Sequence, residues 1–182
     1  TGTSVKDVIS LGGGDDTVSI TIATLADNSS GAQTQTLTFG GGTGDKLKMA
    51  DAGTIVDADL IQMTGVEILE LFNGNQSVTL GANANTAGFT TVTGGTGNDT
   101  IVTGAGAQTI NSGTGNDNVN GGAGADIINV GGGTNILTIS AATNSATVTA
   151  SNAATSISTA SMDKVTGLAA GDDIVLSIYA GA

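Results

Sequence analysis

Between Gly94 and Thr138 the chain repeats every nine residues without a slip, as GGTGNDTIV, TGAGAQTIN, SGTGNDNVN, GGAGADIIN and VGGGTNILT. Glycine fills the second and fourth place of every block. The sixth place holds Asp99, Gln108, Asp117, Asp126 and Asn135, and the eighth holds Ile101, Ile110, Val119, Ile128 and Leu137. A period this short excludes an ordinary globular core. It requires a coiled, stacked chain in which each unit buries its apolar side chain against its neighbours.

The residue types say how one block folds. Six glycine-rich residues make a turn, because glycine takes positive φ without a Cβ penalty. Three residues then form a short strand whose middle side chain points inward while its neighbours point outward. The chain turns again, so two blocks make one coil and block n stacks on block n+2, about 4.8 Å away. Asp99 and Asp117 therefore share one edge, continued by Asn135, and Gln108 and Asp126 share the other. Carboxylates stacked at that spacing repel one another unless a cation neutralises them. Calcium, a hard ion taking six to eight oxygens from carboxylates and backbone carbonyls, suits such turns. The competing expectation is a metal-free glycine-rich solenoid.

The blocks resemble the repeats-in-toxin (RTX) nonapeptide G-G-x-G-x-D-x-U-x. The resemblance implies an all-β, right-handed parallel β-roll in which aspartates and carbonyls of stacked turns grip Ca2+. Carried onto this chain, the ligand set is Gly95, Gly97, Asp99, Gly113, Thr114, Gly115, Asp117, Gly122, Gly124, Asp126 and Asn135. Gln108 and Asn135 depart from the aspartate of the motif, and sites that include them are expected to be weaker or absent. The resemblance also implies type I secretion to the cell exterior.

Charge agrees with a cation partner. The 182 residues carry a net charge of −12, from 16 acidic residues and 4 lysines. Such a surface disfavours nucleic acid and anionic membrane, and about six divalent ions would cancel the excess. With 38% hydrophobic residues in a regular pattern, an acidic disordered chain is not expected. Cysteine, histidine, proline and tryptophan are all absent. That excludes a disulfide framework, a Cys/His zinc cluster and the usual nucleophile–histidine pair. No apolar run reaches the ~18–20 residues of a membrane helix. The N-terminus has no signal-peptide pattern and reads as mid-repeat, as expected of a piece of a longer chain.

Three regions are expected. Residues 1–93 form a wider, irregular solenoid with partial repeat blocks, 94–138 the regular roll, and 139–182 thin rungs with a C-terminal cap. In the first, LGGGDDTVS (11–19) places Asp16 sixth and Val18 eighth, making Asp16 a ligand, while Asp7 in the degenerate block before it reads as a loop carboxylate. TVSITIATL (17–25) and QTQTLTF (33–39) read as alternating strands, with a turn over 27–31. GGGTGDKLKM (40–49) repeats the turn-plus-strand signature one residue short, which would redirect Asp45. Asp57 caps a short helix, and GVEILEL (65–71) favours a strand that sends Glu67 and Glu70 to opposite sides, against a role as an acid–base pair. Further strands are expected at 77–80 and 89–93.

The segment 54–102 is similar to RTX-type bacterial surface-layer proteins, in which a GVE-x-L-x-L rung precedes the glycine–aspartate blocks. Residues 139–159 alternate small polar residues with Val148 and Ile157 but hold no strict T-x-T period, against an ice-binding face. MDKVTGLAAGDDIVLS (162–177) is similar to the phrase that closes RTX rolls, with Leu168 in the usual Phe place and Asp172 or Asp173 capping the last calcium site.

With no catalytic constellation, the expected function is structural: a secreted, calcium-dependent subunit of a self-assembling surface layer or fibre. The partners expected are copies of itself and cell-surface polysaccharide. The alternatives are the secretion and folding module of an RTX enzyme or toxin, and part of a large adhesin.

Overall fold

The computed structural model describes residues 8–26, 36–140 and 164–177. Asp7, the turn at 27–31 and the alternating segment 141–159 lie outside them. In chain order the elements are β1 (Val8–Ser10), β2 (Thr17–Ile20), helix α1 (Ile22–Ala26), β3 (Thr36–Thr38), β4 (Lys46–Met49), β5 (Thr54–Val56), a 3-10 turn (Asp57–Leu60), β6 (Met63–Thr64), β7 (Ile68–Glu70) and β8 (Ser77–Thr79). Then follow α2 (Ala82–Ala87), β9 (Thr91–Thr96), β10 (Thr100–Val102), β11 (Thr109–Thr114), β12 (Asn118–Asn120), β13 (Ile127–Asn129), β14 (Ile136–Ser140), β15 (Lys164–Thr166) and β16 (Asp173–Ser177).

Among the described residues every strand pairing is parallel, as a coil stacked on itself demands. One seven-stranded sheet runs β2-β4-β7-β9-β11-β13-β15, and a six-stranded sheet runs β5-β8-β10-β12-β14-β16. The all-β parallel β-roll expected from the repeats is what the chain forms. Residues 18 apart are in register, with Ile101 on Val119 and Ile110 on Ile128. The eighth-place side chains Ile101, Ile110, Val119, Ile128 and Leu137 are all fully buried between the two sheets.

Both sheets continue through the N-terminal region, where a third sheet, β1-β3-β6, makes the coil three-sided and leaves room for Phe39, Met49, Leu60 and Met63. Helix α2 packs against β6 and the 3-10 turn, and among the described residues the third sheet has no strand beyond that point. A helix laid over the last strand covers an edge that would otherwise offer unpaired backbone groups.

Two local expectations are corrected. The strand over 17–25 stops at Ile20, and Ile22–Ala26 is helical, because Asp51 of the next coil accepts the Ile22 N–H at 2.7 Å. Asp57 does begin a 3-10 turn, but its carboxylate caps another element. It accepts the N–H groups of Gly81, Asn83 and Ala84 at 2.7–3.0 Å, at the start of α2, where Gly81 has no capping side chain.

Candidate metal centre

Glu67 and Thr90 apart, whose N–H groups donate to backbone carbonyls, the residue just before a strand is held the same way along much of both edges. Its backbone N–H donates to the side chain of the corresponding residue one coil later. On one edge Gln76 donates to Asp99 Oδ1 at 2.8 Å, Asp99 to Asp117 Oδ1 at 2.9 Å, Asp117 to Asn135 Oδ1 at 2.9 Å and Asn135 to Asp172 Oδ1 at 2.6 Å. On the other edge Asp16 donates to Asp45 Oδ1, Asp45 to Glu67 Oε2 and Gln108 to Asp126 Oδ1. The ladder turns the sixth-place side chains inward, and Asp45, Asp99, Asp117, Asp126 and Asn135 are all buried. A second ladder runs the opposite way on the first edge. There the Asn98 N–H donates to Asn75 Oδ1, Asn116 to Asn98 Oδ1 and Thr134 to Asn116 Oδ1, each at 2.8 Å. Each turn on that edge is thus tied in both directions.

One carboxylate oxygen is spent on the ladder. The other, Oδ2, is buried without a hydrogen-bond partner in Asp45, Asp99 and Asp117, and Asp16 Oδ2 is likewise buried and unpartnered. Leaving a carboxylate oxygen dry and unpaired is costly. Two charges about 4.8 Å apart add roughly 3–4 kcal/mol of repulsion at an effective dielectric near 20. Burial pushes the Asp99 carboxyl up to about 6, with the Asp117 charge adding to the rise and the Gln76 N–H opposing it.

The glycines let carbonyls and these carboxylate oxygens lie where a side chain would otherwise stand. A Cβ on Gly94 would fall 2.0 Å from Ser112 O and 2.9 Å from Asp99 Oδ2. A Cβ on Gly42 would fall among Gly14 O, Asp45 Oδ2 and Asp15 Oδ1, all within 3.1 Å. Gly113 has φ +100°, and its Cβ would overlap Gly95 O. Among the described residues no group of three or more acidic side chains converges. An ion here must therefore draw most of its oxygens from carbonyls. That donor set, hard oxygens with one or two carboxylates in flexible turns, fits calcium.

The structure brings the sequence-predicted ligands together in two columns. Asp99, Asp117, Asn135 and Asp172 line one edge, with Gly95, Gly97, Gly113 and Gly115 stacked beside them. Thr114 pairs with Thr96 there and accepts the Gly97 N–H. Asp126, Gly122 and Gly124 stand on the other edge with Gln108. Asp16 lies at the far end of that edge, against Asp45. Of the closing pair, Asp172 takes the ladder position, while Asp173 leads β16 and is exposed, outside the column. Asn135 presents a buried Nδ2 without an acceptor where Asp99 and Asp117 present Oδ2, so it offers no charge to an ion at that level.

Sequence reasoning redirected Asp45 and missed Gln76. Both sit two residues before an inward aliphatic, Leu47 and Val78, as Asp99 sits before Ile101. Counting back from the buried residue rather than forward from the glycines finds them. Glu67 is also on the ladder, whereas Glu70 faces outward to Lys46 and Lys48.

The family model described as RTX calcium-binding nonapeptide repeat (4 copies) matches residues 1–19, 85–111 and 102–137. No curated protein and no solved structure matches the chain. The matched residues contain Asp16 and every sixth-place residue from Asp99 to Asn135, that is, the buried carboxylates Asp99, Asp117 and Asp126 and the amides Gln108 and Asn135 that stand in the same columns. Residues 1–19 and 85–137 are thus RTX calcium-binding nonapeptide repeats, and Ca2+ is the cofactor of such repeats.

Proposed function

We propose that the protein is a secreted structural subunit that folds on meeting extracellular calcium and then assembles, through its coil ends, into a surface layer or fibre. The observation that carries this reading is the pairing of a column of buried, unpartnered carboxylate oxygens with sheets whose outermost described strands have a free edge. Among the described residues β15 and β16 close their sheets at one end, and β1, β2 and β5 at the other. Each such strand has one edge without a strand partner, and an open parallel stack recruits further strands unless something covers it. A head-to-tail contact that does not return on itself builds filaments or lattices.

No catalytic role is part of this reading. Glu67 is held by the Asp45 N–H and Glu70 by two lysines, so neither is free to act as acid or base. No described helix is long and apolar enough to cross a membrane.

The chain's own residues perform the switch. Where calcium is scarce, the Asp99 and Asp117 carboxylates oppose stacking of their coils, and the chain stays extended enough for export. Bound calcium supplies the positive charge that their Oδ2 atoms lack, so folding and ion binding become one event. Copies of the same chain, and cell-surface polysaccharide as the anchor, are the partners proposed.

Electron microscopy of the 182-residue chain with calcium and with chelator tests the proposal. Ordered sheets or fibres are expected only with calcium. Asp117→Asn should raise the calcium concentration needed for assembly about tenfold, because it keeps the ladder oxygen but removes a charge. Calcium-dependent folding of a chain that stays monomeric would instead make this the secretion module of an RTX enzyme or toxin.

A further inference from the structure

Gln76 occupies the sixth place one coil before Asp99, with Ser77 in register with Thr100. Its side chain is buried, and each polar atom has partners. Oε1 accepts the Gly53 N–H at 3.1 Å, as Asp117 Oδ1 accepts that of Asp99. That bond fixes the amide orientation, so Nε2 must be the group that points away from Gly53. Nε2 donates to Asp51 O at 3.3 Å and to Phe72 O at 3.4 Å. Asp51 holds the fourth place of the coil before, and Phe72 the second place of Gln76's own coil. In the next coil down the roll the corresponding places belong to Gly74 and Gly95, and the atom that corresponds to Gln76 Nε2 is the buried, unpartnered Asp99 Oδ2.

We propose that the Gln76 amide is a built-in substitute for a calcium ion: its NH2 group bridges two carbonyls whose counterparts in the following coil, together with the Asp99 carboxylate, would hold an ion, and it ends the calcium column on that edge. The inference rests on the calcium reading above. An amide NH2 brings two donors and partial positive charge to carbonyls that would otherwise be buried without a cation. It needs no free ion, so the coil carrying β5 and β8 closes whether or not calcium is present. The ion-dependent coils then stack on a platform that is already formed.

Gln76→Glu converts the bridging NH2 into an oxygen while keeping the acceptor for Gly53. The variant should bind one more calcium ion per chain than the wild type, counted by native mass spectrometry over a calcium titration. Hydrogen exchange should show the Gly53 amide protected about equally with and without calcium in the wild type. In the variant it should exchange about 100-fold faster without calcium. An equal ion count in wild type and variant, with the variant folded, overturns the inference.

If the variant does not fold even in excess calcium, wild-type exchange decides. Calcium-independent protection at Gly53 upholds the inference, and loss of that protection in chelator overturns it. Gln76→Met should leave the ion count unchanged, and a lost ion would make Gln76 itself a ligand and overturn the proposal. A wild type that binds no calcium would sink the calcium reading itself, an outcome distinct from equal non-zero counts.

Discussion

Residues 46–93 and 94–138 are neighbouring stretches of similar length that share two sheets, the first adding β6 of the third, yet they are closed by different means. The first buries fourteen hydrophobic side chains, including Met49, Leu60, Met63 and Phe89, and the second buries six, all aliphatic. None of the buried, unpartnered polar atoms lies in 46–93, whereas Asp99, Gln108, Asp117 and Asn135 each contribute one in the roll. In 46–93 the carboxylates are met by protein groups: Asp57 by the start of α2, Glu67 by the Asp45 N–H, and Glu70 by Lys46 and Lys48. A solenoid coil can thus be held by a wide apolar interior with its charges internally answered. It can also be held by a thin interior whose charges await an ion. The chain uses both, in series, and near the N-terminus Asp16 and Asp45 set unpartnered carboxylate oxygens beside the wide interior.

Calcium removal should separate the two regions most. In chelator, amides of 94–138 should lose exchange protection by about 1,000-fold or more, while those flanking Leu69 and Val78 keep most of theirs. Equal loss in both would erase the distinction. Next in size is Gly113→Ala, which puts a Cβ against Gly95 O at φ +100°. It should cost about 3–5 kcal/mol in urea unfolding with calcium present, at the upper end for single substitutions.

Acidity should act oppositely on the ion-free and ion-bound roll. Because the Asp99 pKa rises from 3.8 to about 6 on folding, its protonated form favours the fold. That stabilisation is complete below 3.8 and is lost as pH climbs through about 6. Ion-free protein should therefore show more β-structure by circular dichroism at pH 4.5 than at pH 7.5, and calcium affinity should fall on acidification across the same window. The smallest effect belongs to Glu70→Gln. The two lysines hold the Glu70 carboxyl below its usual range. Their half-exposed pairs should be worth about 0.5–1 kcal/mol, lost at high salt and indifferent to calcium.

How far the sequence could be read follows the same division. The roll was readable because one local rule repeats: glycines at fixed places, an aliphatic at the eighth, and in-register stacking of alternate blocks. The class of ion followed from carboxylates at a spacing that repels. The wide region was harder because its groups answer one another across coils of unequal length. Asp16 and Asp45 are 29 residues apart, Asp45 and Glu67 22, and Gln76 and Asp99 23, against 18 in the roll. No fixed period announces that Asp57 serves Gly81 or that Asp51 serves Ile22. Helices α1 and α2 escaped for a related reason. Both are short, and the carboxylates at their starts come from other coils. Gln76 lacks the charge that marks a ligand, and its role shows only once Asp51 and Phe72 are seen beside it.

The eighteen-residue spacing restricts how such a chain can lengthen. A single nine-residue insertion would carry everything after it to the opposite edge, placing Asp117 over Gln108 and breaking both the carboxylate and asparagine ladders. Gain or loss in pairs of blocks preserves every downstream partner. Growth by duplication is therefore quantised at one full coil, and the parity of the blocks, more than their number, is what the fold must conserve.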